Sequence, residues 1–260
     1  MNAENTWEAE NDQAARLYQR GQYGAAELMF RSALQKAEKF GASDTRVAIV
    51  LNNLANLCHN QRNLTEAEAF YLRALAIRQE AYGPQHPWVA QSLNNIAALY
   101  RELGKLQEAE AFSLRAVAIA EALMGPHHWR ITNCLNNLAA VYMAQARYSE
   151  SEVCFQRTLA IRQRFFGAGD PTVATTLCGL AELAMAQGKH AEAEPLFQRA
   201  LTIRETELGA HHPGVAVLLE KYAGLLRQTE REAEAGAYET RAQAIRVQSQ
   251  AHAGEGGERE

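Results

Sequence analysis

Residues 93–100 read LNNIAALY; the same phrase stands 42 residues earlier as LNNLANLC (51–58) and 42 residues later as LNNLAAVY (135–142). The column continues at Leu177 and Leu219. Inside the phrase, Leu93, Ile96, Ala97 and Tyr100 recur at the three- and four-residue spacing that puts side chains on one face of a helix. A turn at Gly104–Lys105 follows, then a second amphipathic run through Ala109, Phe112, Ala116 and Ile119. Small residues recur where two helices must approach: Ala55, Ala97, Ala139 and Ala181 in the first run, Ala67, Ala109 and Ala193 in the second. An earlier copy, one residue shorter inside, shows Ala14, Leu17, Gly21, Ala26, Phe30 and Ala33 in the same order. The count is six units of two helices, roughly 8–41, 42–83, 84–125, 126–167, 168–209 and 210–248. One such hairpin cannot cover its own apolar faces, and stacking on its neighbours does. The reading predicts an all-α solenoid as a single domain over 1–248, followed by a polar, Gly-rich tail over 249–260 left disordered.

The joints between units obey the same period. Gly41, Gly83, Gly125, Gly167 and Gly209 suit helix ends that need a positive φ. Asp44, His86, His128, Asp170 and His212 share the column of the next N-cap, Asp being good there and His poorer. The proline after His86, Pro87, suits the first turn of the next helix, where its missing N–H costs nothing.

Bulk properties narrow the partners. A net charge of −4 and a pI near 6.1 give no electrostatic reason to expect nucleic acid or an anionic membrane. No apolar run approaches the ~20 residues that span a bilayer, and residues 1–10 do not read as a secretory signal. Cys58, Cys134, Cys154 and Cys178 form no CxxC pair and suit reduced thiols in a cytoplasm.

The pattern LNNLAxLY, then GKxxEAExxxxRALxIR, then GxxHPxVA closely resembles the tetratricopeptide repeats of the kinesin light chain family, over roughly residues 8–248. The resemblance implies a right-handed superhelix whose first helices line a concave groove, with positions two, five, six, nine, twelve and thirteen of each unit turned inward. Those positions hold Asn52, Asn53, Asn56 and Asn60, then Asn94, Asn95 and Arg101, then Asn136, Asn137 and Met143, and finally Glu182, Met185, Lys221 and Arg227. Chaperone-tail receptors of this fold use Lys or Arg at positions two and six; here these are Ile49, Gln91 and Asn133, and Asn53, Asn95 and Asn137, so that clamp is missing.

Asparagine is unfavourable inside a helix, so three consecutive Asn pairs require a cause. A carboxamide can pair with both the N–H and the C=O of an extended peptide. It can equally brace one hairpin against the next, and since adjacent helical residues lie about 100° apart, each pair can do both. The groove is also graded, from a polar stripe (Asn53, Asn56, Asn60) through Met143 and Met185 to charged Glu182, Lys221 and Arg227.

Catalytic and metal chemistry find no foothold. His127–His128 and His211–His212 fall in loop columns that the repeat already explains, without ligand spacing. Cys58 stands where Tyr100 and Tyr142 stand and reads as core, and Cys178 has no recognisable base. Arg73, Arg115, Arg199, Arg78, Arg162 and Arg204 read as solvated or hairpin-bridging charges. The expectation is a scaffold, not an enzyme, with no cofactor. It binds an extended segment of a client protein or peptide, and is a monomer or weak homo-oligomer. The alternative is a structural protein that self-associates through its ends or convex face.

Overall fold

The computed structural model describes residues 4–255. The chain forms two compact units, Met1–Pro126 and His127–Glu260. The first holds three helical hairpins: α1 (Glu4–Gln19) with α2 (Tyr23–Ala37), α3 (Thr45–Asn60) with α4 (Leu64–Tyr82), and α5 (Pro87–Glu102) with α6 (Leu106–Met124). The second holds α7 (Thr132–Ala144) with α8 (Tyr148–Phe166), α9 (Pro171–Ala186) with α10 (His190–Leu208), and α11 (Pro213–Gln228) with α12 (Glu232–Glu255). There is no strand among the described residues. Helix α12 runs through 249–255, part of the stretch expected as a disordered tail, because Ala251 and Ala253 favour helix and no proline intervenes. Residues 256–260 of that stretch lie outside the described residues.

Within each unit the second helix of one hairpin packs on the first helix of the next, and the buried apolar columns meet there. In the first unit, Phe30, Val47, Leu51, Leu54 and Leu57 are buried together. In the second, Val173, Leu177, Phe197, Leu219 and Tyr222 are, with the rings of Phe197 and Tyr222 stacked at 5.6 Å. Close approach of the helices is permitted by alanines with no exposed surface: Ala33, Ala74 and Ala116 in one unit, Ala200 in the other. Thr158 stands in this alanine column, wholly buried, and its Oγ1 has no hydrogen-bond partner. Thr158→Ala removes that unsatisfied hydroxyl and improves helix propensity. It is expected to stabilise the chain by about 0.5–1 kcal/mol, read as a raised midpoint in urea. An unchanged or lowered midpoint would show that the hydroxyl is satisfied or needed for packing.

The joints are built as the column predicted. Asp44 and Asp170 accept the backbone N–H of Arg46 and Thr172 at 2.9 and 2.7 Å. His86, His128 and His212 do the same through Nδ1, toward Trp88, Arg130 and Gly214, at 3.0–3.2 Å. A histidine serves as a cap here because its neutral ring nitrogen is an acceptor at the reach of an Asx side chain. The preceding glycines take a positive φ, +78° at Gly83 and +89° at Gly167. The fourth hairpin departs from the rule. Trp129 stands at the N1 position, and a 3₁₀ turn over Trp129–Ile131 precedes α7, whereas α3 starts directly on Thr45, also without a proline.

Candidate functional site: the open stripe of the first helices

Helix α3 is packed on most of its circumference. Val47, Ala48, Val50, Leu51, Asn52, Leu54, Ala55, Leu57 and Cys58 are all buried. What stays open is Ile49, Asn53, Asn56, His59 and Asn60, whose spacings of three and four draw one stripe along the helix. The same columns open on α5 at Gln91, Asn94, Asn95, Ala98, Arg101 and Glu102. In the second unit they open at Asn133, Asn136, Asn137, Ala140 and Met143 on α7, at Thr175, Gly179, Glu182 and Met185 on α9, and at Val217, Lys221, Gly224 and Arg227 on α11. The structure thus brings Asn53, Asn56, Asn60, Asn94, Asn95 and Arg101 to one surface of the first unit. Asn136, Asn137, Met143, Glu182, Met185, Lys221 and Arg227 come to the corresponding surface of the second. Asn52, the remaining candidate, is withdrawn at 7% exposure.

The position of Asn52 follows from a hydrogen-bond ladder between hairpins. Asn53 donates from Nδ2 to Oδ1 of Asn11 at 2.9 Å, and Asn95 donates to Oδ1 of Asn52 at 3.0 Å. Each sixth-position amide therefore reaches back to the buried fifth-position amide of the preceding hairpin. Sequence alone left bracing and ligand contact open for these pairs, and in the first unit the bracing bonds are made. Asn60 donates to the Tyr18 hydroxyl, again one repeat back. Asn56 Oδ1 accepts from Tyr71 at 2.5 Å, which leaves the Asn56 NH₂ facing outward.

In the second unit the sixth position of α9 is Gly179, and the ladder stops. A Cβ at Gly179 would lie 2.5 and 2.7 Å from Cε1 and Cζ of Phe155, so the ring of α8 fills the place of an amide. The acceptor one repeat back, Asn136 Oδ1, is buried without a hydrogen-bond partner. One step further Lys221 occupies the sixth position and pairs with Glu182 of the preceding hairpin, an ionic replacement for the amide bond.

Charges elsewhere on the stripe are mostly spent. His59 Nε2 lies 3.1 Å from Glu102, which also takes Arg62 at 2.7 Å. Arg227 pairs with Glu239 at 2.8 Å. Arg101 has no carboxylate partner among the described residues, so its guanidinium remains available. Two arginines of the IR column are buried braces and not solvated charges. Arg78 donates to Ser92 Oγ at 2.7 Å and the Trp88 carbonyl at 3.2 Å. Arg162 donates to the Thr172 carbonyl at 2.7 Å, Thr176 Oγ1 at 2.9 Å and Asn133 Oδ1 at 2.9 Å. Burial pulls both guanidinium groups down to about 10.

Buried thiols give the structure a pH signature. Burial pushes Cys58 and Cys134 up to about 11, and burial with the nearby Glu182 carboxylate pushes Cys178 up to about 12. The folded chain keeps protons that an unfolded thiol, with a value near about 8.5, would release. That stabilisation is complete below the unfolded value and is lost as pH rises through the folded values. Arg78 and Arg162 act in the opposite direction, but only above about 10. The urea midpoint is expected to hold up to about pH 8 and to fall between about pH 8.5 and 10, with Cys178→Ala flattening the fall. A midpoint flat across that window would contradict the burial of the thiols.

Repeated hairpins, second helix packed on the next first helix within each unit and one stripe left open on five of the first helices, define an α-helical repeat protein. The chain belongs to the tetratricopeptide repeat family, whose model matches residues 46–122, 131–205 and 172–246. Among solved structures it is similar to BtubC (BKLC) from P. vanneervenii, at 21% identity and TM-score 0.67, covering 85% of this chain and 89% of that one. It is also similar to a kinesin light chain-like repeat protein of Podospora anserina, at 23% identity and TM-score 0.60, covering 77% and 94%. A Rap protein complexed with competence and sporulation factor matches at 15% identity and TM-score 0.68, covering 96% and 77%. These likenesses bear out the all-α repeat fold. No curated protein matches the sequence. Among the described residues no helix is long and apolar enough to cross a membrane.

Proposed function

We propose that this chain is a protein-interaction scaffold that holds an extended segment of a client protein on the open stripe, binding without catalysis. The observation that carries the reading is the stripe itself: five first helices, buried on their other faces, keep the same columns exposed. Proteins of this fold include one solved with a factor bound to it, which supports the reading. In the first unit the outward amide of Asn56 and the free guanidinium of Arg101 contact the client. Asn53 and Asn95 mainly set the stacking and offer their second amide hydrogen and their carbonyl oxygen. In the second unit Met143 and Met185 form an adaptable apolar floor beside the Glu182–Lys221 pair. The 42-residue period runs unbroken across Pro126–His127, which supports one continuous domain over 1–248. The reading places the chain in the cytoplasm, where its cysteines stay as thiols.

The test is capture of a client from lysate by the wild type, followed by affinity measurement with Met143→Asp/Met185→Asp. Burying a methionine contributes about 1.5–3 kcal/mol, so the double variant is expected to lose roughly tenfold or more in affinity with its helicity intact. A client held equally by both proteins would place the binding surface off the stripe.

A further inference from the structure

The loop end of the fourth hairpin carries an exposed aromatic patch, two of whose three large rings the repeat does not account for. The Trp129 ring meets Phe166 edge-on at 5.6 Å, His128 lies 5.7 Å from Trp129, and Phe165 lies 6.3 Å from His128. The three large rings are nonetheless open to solvent: Trp129 by 38%, Phe165 by 48% and Phe166 by 42%. The columns of Trp129 and Phe165 show that the fold does not require an aromatic there, whereas Phe166 stands in a column of large apolar residues, Phe40, Tyr82, Met124 and Leu208. Trp129 stands where the other hairpins have Thr45, Pro87, Pro171 and Pro213. Phe165 stands where they have Lys39, Ala81, Leu123 and Glu207. The indole sits on the 3₁₀ turn over Trp129–Ile131, where the other joints pass directly into the α-helix. A contiguous exposed apolar surface of this kind marks a place of contact.

Charge indicates what makes the contact. The Arg130 guanidinium lies 5.3 Å from the Trp129 ring, and Arg164 immediately precedes the two phenylalanines. Both arginines are exposed, and neither has a carboxylate partner among the described residues. Asp170, in the next loop, is committed to Thr172, accepting from both its N–H and its hydroxyl. By contrast, Arg231, Arg241 and Arg246 of the same unit are each paired with a glutamate. Aromatic rings flanked by unpaired guanidinium groups are the composition in which interface energy concentrates. A phosphate backbone is the poorer fit, since tracking it takes many cations and this chain has a net charge of −4.

We propose that Trp129, Phe165 and Phe166, with Arg130 and Arg164, form a second docking surface for an acidic segment of a partner protein. A large apolar side chain of that segment seats among the rings, and carboxylates beside it pair with the two arginines. The surface uses none of the residues assigned above to the client stripe.

The experiment is selection from a phage-displayed random peptide library. The bait is the Met143→Asp/Met185→Asp protein, whose stripe is disabled. Selected peptides are expected to carry Asp or Glu next to a large apolar residue. Adding Arg130→Glu/Arg164→Glu to the bait should switch the selected charge to Lys or Arg. Adding Trp129→Ala/Phe165→Ala should weaken a selected acidic peptide by at least about tenfold. All four positions are exposed, and circular dichroism on the same samples verifies folding. The proposal is overturned if no peptide is selected, if the selected peptides show no acidic excess, or if they bind the charge-reversed bait equally well. It is also overturned, in favour of nucleic acid, if polyuridylate binds the bait and charge reversal abolishes that binding.

Discussion

Gly179→Asn, which would continue the asparagine column into the fifth hairpin, is expected to destabilise the second unit by about 1–3 kcal/mol and not to extend the ladder. The Cβ alone would stand 2.5 Å from the Phe155 ring, which is itself only 4% exposed and has no room to retreat. Phe155→Ser, the residue of the third hairpin at this column (Ser113), should cost about 3–5 kcal/mol by itself through the cavity it leaves. Together the two changes vacate the ring and supply a donor for Asn136 Oδ1, now buried without one. The double variant is therefore expected to be more stable than the sum of the single effects by about 1 kcal/mol or more, measured as a double-mutant cycle in urea. Strict additivity would show that Phe155 and the amide do not compete for one place.

Asn95→Ala tests the intact part of the ladder. Removing the donor strands Asn52 Oδ1 in a site where the residue is 7% exposed, a cost of about 1–3 kcal/mol. Alanine returns several tenths of a kcal/mol in helix propensity, too little to reverse the sign. Asn56→Asp serves as the comparison. It keeps the acceptor of the buried Tyr71 hydroxyl and removes the NH₂ on the stripe, so it is expected to change client affinity more than it does stability. If Asn95→Ala proved as stable as the wild type while client affinity fell, the sixth-position amides would be binding groups and not braces.

The asparagines also show where sequence reading stopped. Periodicity placed them on the first helices, and the resemblance implied that they face a groove. A binding need confined to part of the groove would account for their loss after the third copy, at Gly179. The structure supplies another cause for the loss. Phe155 fills the space in one hairpin, and an ion pair to Glu182 takes over in the next, so an architectural need can be local too. No spacing within one helix could show this, because ring and glycine belong to different hairpins.

What the sequence by itself determined is everything set by contacts within a turn or two of helix. The hairpins and their order follow from apolar spacings of three and four. The joints follow from positive-φ glycines, Asp and His caps and N1 prolines, and the close approaches from alanine columns. These are local and repeat with the chain, so they are visible in it. What only the tertiary structure decided is the partner of each polar group on the open face: Asn95 with Asn52, Lys221 with Glu182. Such pairs join residues about one repeat apart, and which of several chemically suitable partners is taken depends on how neighbouring hairpins fill the space between them. Packing chooses among those partners, and a single ring such as Phe155 is enough to change the choice.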